Sequence, residues 1–254
     1  MGNIISCRVG IFKTLQVAFE NFLEAGIYHA EVPPPADGDY QALAEKASAS
    51  GIVIATLATG VDLDTDEKAA VLHPVIDGAA AIGVAKIFVS VKAAAELPRE
   101  QAIGRLQALA QYAADRHVTL CMETHPPFGT NGTVARNTIA AVKHPGLRYN
   151  FDTANIYYYN ENTDSVKELK KVKDLVASVH LKDTDGGFKS GNFPALGKGV
   201  VDFPTVFALL KEQGFTGPYT MEIEGSIVGK CDDAGRTEFL KQCVAYLCEI
   251  GAMD

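Results

Sequence analysis

Acids and imidazoles recur where short β-rich runs come to an end. Glu31 closes one such run and Glu123 another, with His125 just beyond it. Asp152 closes a third. His180 closes a fourth, followed by Lys182 and Asp183, and Glu222 and Glu224 close a fifth. Side chains alternate faces along a strand, so Glu123 shares a face with His125, His180 with Lys182, and Glu222 with Glu224. A single acid at a strand end also serves as a helix cap or a solvated loop group. Four consecutive strands ending in carboxylate or imidazole are a stronger signal. Three carboxylates buried together without a cation would protonate or be strongly destabilising. A divalent ion removes that conflict. Three carboxylates and one imidazole suit one Mn²⁺, Mg²⁺, Co²⁺ or Zn²⁺, and a set without cysteine does not resemble a structural zinc site.

The elements that must position these residues alternate in type. Strands are expected at Arg8–Phe12, Tyr28–Val32, Ile52–Leu57, Lys86–Val91, Val118–Thr124, Leu147–Asp152, Val176–Leu181 and Tyr219–Ile223, each rich in Val, Ile, Phe, Tyr or Thr and close to turn residues. Helix-length stretches separate them: Leu15–Ala25, Tyr40–Ser50, Asp66–Ile82, Arg99–Arg116, Val134–Lys143, Ser165–Lys173, Thr205–Gln213 and Thr237–Ile250. Gly26 and Gly51 stand where helix C-caps are expected, and Pro74 should kink or split the third helix. Strict β-α alternation implies parallel strands with right-handed crossovers. Eight units in 254 residues predict an α/β fold, a single (β/α)8 TIM barrel over residues 1–254. Such a barrel carries its chemistry at the C-terminal ends of its strands, where the candidate residues lie.

Composition narrows the function classes. Hydrophobic residues make up 47% and charged residues 21%, as in globular proteins. The net charge of −8 and the lack of a basic run argue against nucleic acid as a partner. No apolar run reaches the ~18 residues of a membrane span, so no membrane partner is expected. The five cysteines are odd in number and form no C-x-x-C pair, which predicts reduced thiols and a cytoplasmic location.

The strings Met122-Glu123-Thr124-His125, Asn150-Phe151-Asp152-Thr153-Ala154-Asn155, Val179-His180-Leu181-Lys182-Asp183 and Met221-Glu222-Ile223-Glu224-Gly225 resemble the xylose isomerase-like barrel superfamily, and within it the sugar-phosphate isomerase/epimerase group. Gly197-Lys198-Gly199-Val200-Val201-Asp202-Phe203 resembles that group's G-x-G-x-x-D-F segment. The resemblance implies Glu123, Asp152, His180 and Glu222 as metal ligands. It prefers Glu222 to Glu224 and gives Glu123 and Glu222 proton-moving roles. It also implies Glu31 as an acid lining the substrate pocket. Two positions depart from ketose 3-epimerases. Asn155 stands where they often place a histidine, and the loop from Asp183 to Asn192 carries Lys189, with Lys182 just before it, but no arginine. The chain has no tryptophan for sugar stacking; Phe128, Phe188, Phe193 and Tyr157–Tyr159 can substitute.

The implied activity is metal-dependent isomerisation or epimerisation of a small sugar or keto-polyol, by proton abstraction next to a carbonyl. A dehydratase or lyase acting on a keto-inositol or oxidised sugar uses the same constellation and stays open beside it. A non-catalytic sugar-binding barrel is a third option. The apurinic endonuclease branch, which needs more histidines, is a fourth. His125, Asn155, Lys182 and Asp183 are the expected substrate contacts, although His125 can instead hold Glu123, and Lys182 can instead pair with Asp183. The resemblance is compatible with a homo-oligomer.

Overall fold

A computed structural model describes residues 2–253. Met1 and Asp254, the outermost positions of the expected 1–254 domain, lie outside the described residues. Eight parallel strands close into a barrel in chain order. They are β1 (Ile4–Arg8), β2 (His29–Val32), β3 (Val53–Asp62), β4 (Lys86–Lys92), β5 (Thr119–Glu123), β6 (Leu147–Asp152), β7 (Val176–Leu181) and β8 (Pro218–Met221). Closure comes from β1 pairing with β8 through Ile4 to Cys7.

Among the described residues ten α-helices surround the sheet: α1 (Leu15–Glu24), α2 (Tyr40–Ala49), α3 (Asp66–Ala70), α4 (His73–Ala81), α5 (Arg99–Ala114), α6 (Gly132–Val142), α7 (Asn155–Tyr159), α8 (Ser165–Val172), α9 (Phe203–Glu212) and α10 (Asp233–Glu249). Their ends follow local chemistry. The side chains of Thr14, Asp39, Asp164 and Asp232 accept a hydrogen bond from the first turns of α1, α2, α8 and α10. Gly26 and Gly51 follow α1 and α2 with φ of +82° and +73°, a conformation that costs other residues more. Pro74 sits in the first turn of α4, and the expected long third helix is two helices, α3 and α4.

The core lies between sheet and helices, where Phe19, Phe22, Ile27, Leu57, Ile76, Ile87 and Phe203 are fully buried. Truncating one of these to alanine would cost about 2–5 kcal/mol. Inside the barrel the same-face residues are polar. Ser6 precedes Arg8 on β1, Asn150 precedes Asp152 on β6, Ser178 precedes His180 on β7, and Thr220 precedes Glu222 at β8. All four of these small polar residues are buried, and Asn150 Nδ2 donates to Ser178 Oγ at 2.8 Å.

Six of the eight strands differ from expectation at an end, three of them only by single residues; the other three matter more. The first strand is Ile4–Arg8 and not Arg8–Phe12, because Ile4 to Cys7 bond to β8 while Val9–Ile11 turns as a short 3-10 helix. Arg8 is therefore at the C-terminal end of β1. The third strand continues to Asp62, paired with β4 as far as Lys92. The last strand stops at Met221, so Glu222 lies just beyond it.

Candidate metal centre

Asp152 and His180 are register partners at the ends of β6 and β7. The backbone N–H groups of Ala154 and Asn155 donate to Asp152 Oδ1 at 2.9 and 2.8 Å. That leaves Oδ2 pointing into the barrel mouth. His180 places Nε2 3.2 and 3.3 Å from the two oxygens of Glu31. Its Nδ1 then faces Glu222 Oε2 at 3.4 Å and Asp152 Oδ2 at 3.9 Å. One ligand atom from each of Asp152, His180 and Glu222 lies within 4.8 Å of the others, and all three residues are buried.

Two of these atoms, Asp152 Oδ2 and His180 Nδ1, are buried and have no hydrogen-bond partner. Lys182 Nζ stands 3.1 Å from Asp152 Oδ2, close enough for charge attraction but without hydrogen-bond geometry. Unsatisfied buried polar atoms are rare and costly. Here a carboxylate oxygen and an imidazole nitrogen converge beside a second carboxylate, a donor set that fits a hard or borderline divalent ion. The contact of His180 Nε2 with Glu31 is the outer support that metal-bound imidazoles commonly have.

The electrostatics are those of a crowded, desolvated cluster. Burial and the neighbouring Glu222 push Asp152 up to about 7, against the attraction of Lys182. Burial would lower His180, but the charges of Glu31 and Glu222 overcome it and raise it to about 10. Burial would raise Glu222, but Lys182, Arg8 and His180 hold it well below the usual carboxylate range. Glu31 behaves alike: burial opposes ionisation, yet Arg8 and His180 bring it down to about 2.

The other expected residues divide into cavity and scaffold. Glu123 is half-buried at the end of β5 and is not one of the three convergent residues. It lines a cavity of about 500 Å³ together with His125, Asn155, Tyr159, Phe193 and Glu222. Asn155 Nδ2 donates to Thr124 O at 3.1 Å and lies 3.4 Å from Glu123 Oε1. His125 meets Tyr159 edge-on at 5.1 Å. Burial and Glu123 together push the Tyr159 hydroxyl up to about 12. Glu31 is fully buried, and its oxygens go to Arg8, Thr56 and His180.

Lys182 contacts Asp152, Glu222 and Glu224 and does not pair with Asp183. Asp183 is buried and accepts backbone N–H groups from Thr184, Gly197, Gly199 and Val201. Both its oxygens are committed to holding that loop. Gly199 approaches so closely that a Cβ there would stand 2.3 Å from Asp183 Oδ1.

Arg8 is the site residue that sequence reasoning missed. Its Nε donates to Glu31 Oε1 at 2.7 Å and its Nη1 to Glu222 Oε1, so it straps two buried carboxylates together. The guanidinium lies over Phe88, 4.5 Å from the ring centroid, and Phe88 stacks on His180 at 4.5 Å. A signal existed: Ile4-Ile5-Ser6-Cys7 is itself a β-rich run, and it would have put Arg8 at a strand end like the acids. Arg8 and Phe88 also border a second lobe of about 730 Å³ beside β3 and β4.

Among the described residues no helix is long and apolar enough to cross a membrane. Comparison with known proteins gives the fold its relatives. An inosose dehydratase of Yersinia enterocolitica is 29% identical over 132 residues, 46% of this chain and 44% of that protein. An L-ribulose 3-epimerase of Methylomonas is 30% identical over 129 residues, 49% of this chain and 42% of that protein. The matched stretches thus span less than half the length of these curated relatives. The crystal structure of a xylose isomerase domain protein from Planctomyces limnophilus superimposes with a TM-score of 0.80 at 23% identity, over 98% of both chains. The IOLI protein, solved with a zinc atom, gives 0.79 at 15% identity, over 98% of this chain and 99% of that one. The family model of the xylose isomerase-like TIM barrel matches residues 12–243, and the chain belongs to that family.

Proposed function

We propose that this barrel is a divalent-metal-dependent isomerase or epimerase that removes a proton next to the carbonyl of a small sugar or keto-polyol. The observation that carries this reading is the convergence of Asp152 Oδ2 and His180 Nδ1, neither of them hydrogen-bonded, on Glu222 beneath a cavity onto which Glu123 opens. Asp152, His180 and Glu222 would hold the ion, with Glu123 completing the set or facing the substrate. A divalent ion bound there supplies Lewis acidity, polarising the substrate's carbonyl and making the adjacent C–H bond acidic.

The chain's own residues divide the remaining work. Glu123 makes no ion pair with Arg8 or Lys182 among the described residues and faces the cavity, the position a general base needs. Glu222 is held by Arg8 and Lys182 in its ionised form, which suits a ligand first and a proton carrier second. Asn155 orients the Glu123 carboxylate. His125, Tyr159 and Phe193 form the cavity wall against which a sugar would pack.

A dehydratase reading has support of its own. Several of the similar proteins are inosose dehydratases, and the unequal charge environments of Glu123 and Glu222 favour one strong base over two matched ones. Both reactions begin with the same proton abstraction. Ketoses and keto-polyols incubated with the protein and Mn²⁺ or Co²⁺ in deuterated water test it. Exchange of a carbon-bound proton is expected; a product that differs from the substrate in mass only by the deuterium taken up then marks isomerisation or epimerisation, and loss of water marks dehydration. Failure of every such substrate to exchange would contradict the proposal.

A further inference from the structure

Lys182 lies just past the end of β7, two residues after His180, and its ammonium is enclosed by carboxylates. Nζ lies 3.1 Å from Asp152 Oδ2, 2.7 Å from Glu222 Oε2 and 2.6 Å from Glu224 Oε1. The side chain is 2% exposed, and the Phe193 ring covers it at 5.0 Å. Two of its three partners, Asp152 and Glu222, are the carboxylates that converge on His180 Nδ1. The third, Glu224, is 50% exposed and outside that set.

A monovalent cation therefore lies against the very oxygens a divalent ion would use. Buried carboxylates need a counter-charge in either state. A divalent ion and an ammonium in contact with the same two oxygens would repel each other strongly at low dielectric. The four-carbon stem of a lysine lets its ammonium shift without moving the strand, and Glu224 Oε1 is already in contact. The other charged group on Glu222, Arg8, is fixed between Glu31 and Glu222 and makes no further ion pair among the described residues.

We propose that Lys182 is a built-in counter-ion of the metal centre: its ammonium bridges Asp152 and Glu222 before an ion binds and withdraws onto Glu224 when one does. The inference rests on Asp152, His180 and Glu222 being the metal ligands. Lys182 then competes with the metal and sets its affinity, while Glu224 acts as the receiving group.

Mn²⁺ titrations by calorimetry on chelator-stripped protein test this, with the unaltered chain, Lys182→Met, Glu224→Gln and the double variant. Lys182→Met should bind Mn²⁺ at least about tenfold more tightly. Glu224→Gln should bind it several-fold more weakly, because the ammonium loses its refuge. In the Lys182→Met background the Glu224→Gln change should alter the dissociation constant by less than about twofold, since no ammonium remains to be received. Full weakening by Glu224→Gln in that background would mean simple through-space charge and would overturn the proposal, as would unchanged or weaker binding by Lys182→Met. Should Lys182→Met fail to fold, the half-exposed Glu224→Gln decides alone, and an unaltered dissociation constant overturns it. Absence of saturable binding by the unaltered chain would instead remove the metal centre itself, a result distinct from normal binding with unresponsive variants.

Discussion

His180 gives its Nε2 to Glu31, 3.3 Å away, and so presents Nδ1 to Asp152 and Glu222. Glu31 is in turn fixed by Arg8 Nε and the Thr56 hydroxyl. The imidazole is thus oriented from outside the cluster. Glu31→Gln keeps the size of the side chain and removes its charge, and it should weaken divalent-metal binding by about 10–100-fold. Calorimetric titration checks this; an unchanged affinity would show that Nδ1 is not a ligand or that Glu31 does not orient it.

Glu123 and Glu222 occupy different surroundings, and their glutamine variants should separate. Glu222→Gln should lose both metal and turnover. Glu123→Gln should keep most of its metal affinity and lose about 10²–10⁴-fold in turnover, the usual contribution of a positioned base. Metal content and proton exchange measured on the same samples distinguish the two. Full activity in Glu123→Gln would remove it as the base.

Acidity should act through His180. Its folded-state value, about 10, lies above the ordinary 6.5, so the protonated imidazole stabilises the metal-free fold. That contribution is complete below about pH 6.5 and is lost as the pH rises through about 10. Thermal melts of metal-free protein should therefore fall from about pH 7 to about pH 10. A bound ion needs Nδ1 free of its proton, so metal binding at neutral pH should release roughly one proton or more, seen as a buffer-dependent heat in calorimetry. No buffer dependence would contradict coordination by His180.

Asp183 should matter for stability more than for the chemistry. Asp183→Ala leaves four backbone N–H groups without their acceptor and should cost at least about 3 kcal/mol in denaturant unfolding. Metal affinity per folded molecule should stay within about twofold. A stable Asp183→Ala protein with impaired substrate binding would restore the residue to the pocket.

Much of this was legible because strand ends advertise themselves. β6 and β7 were readable to the residue, since Leu147–Asp152 and Val176–Leu181 are short β-rich runs that carry Asp152 at the last position and His180 at the last but one. Pro74 announced the break between α3 and α4. Arg8 was hidden by a boundary: starting the first strand at Arg8 puts it at the wrong end of the barrel, whereas pairing of Ile4 to Cys7 with β8 puts it at the mouth. Asp183 was hidden for another reason. Its partners are backbone donors of Gly197, Gly199 and Val201, and backbone groups leave no residue-type signature. The separation of Glu123 from the tight trio depends on how β5 sits against α7, where Asn155 meets its carboxylate, and not on spacing along the chain.

A buried cluster of acids and one imidazole at the barrel mouth should bind one divalent ion. The decisive experiment titrates chelator-stripped protein with Mn²⁺ beside the His180→Ala variant. The expected result is saturation at one ion per chain for the unaltered protein and no saturable binding for the variant. Equal binding by both, or none by either, would contradict it.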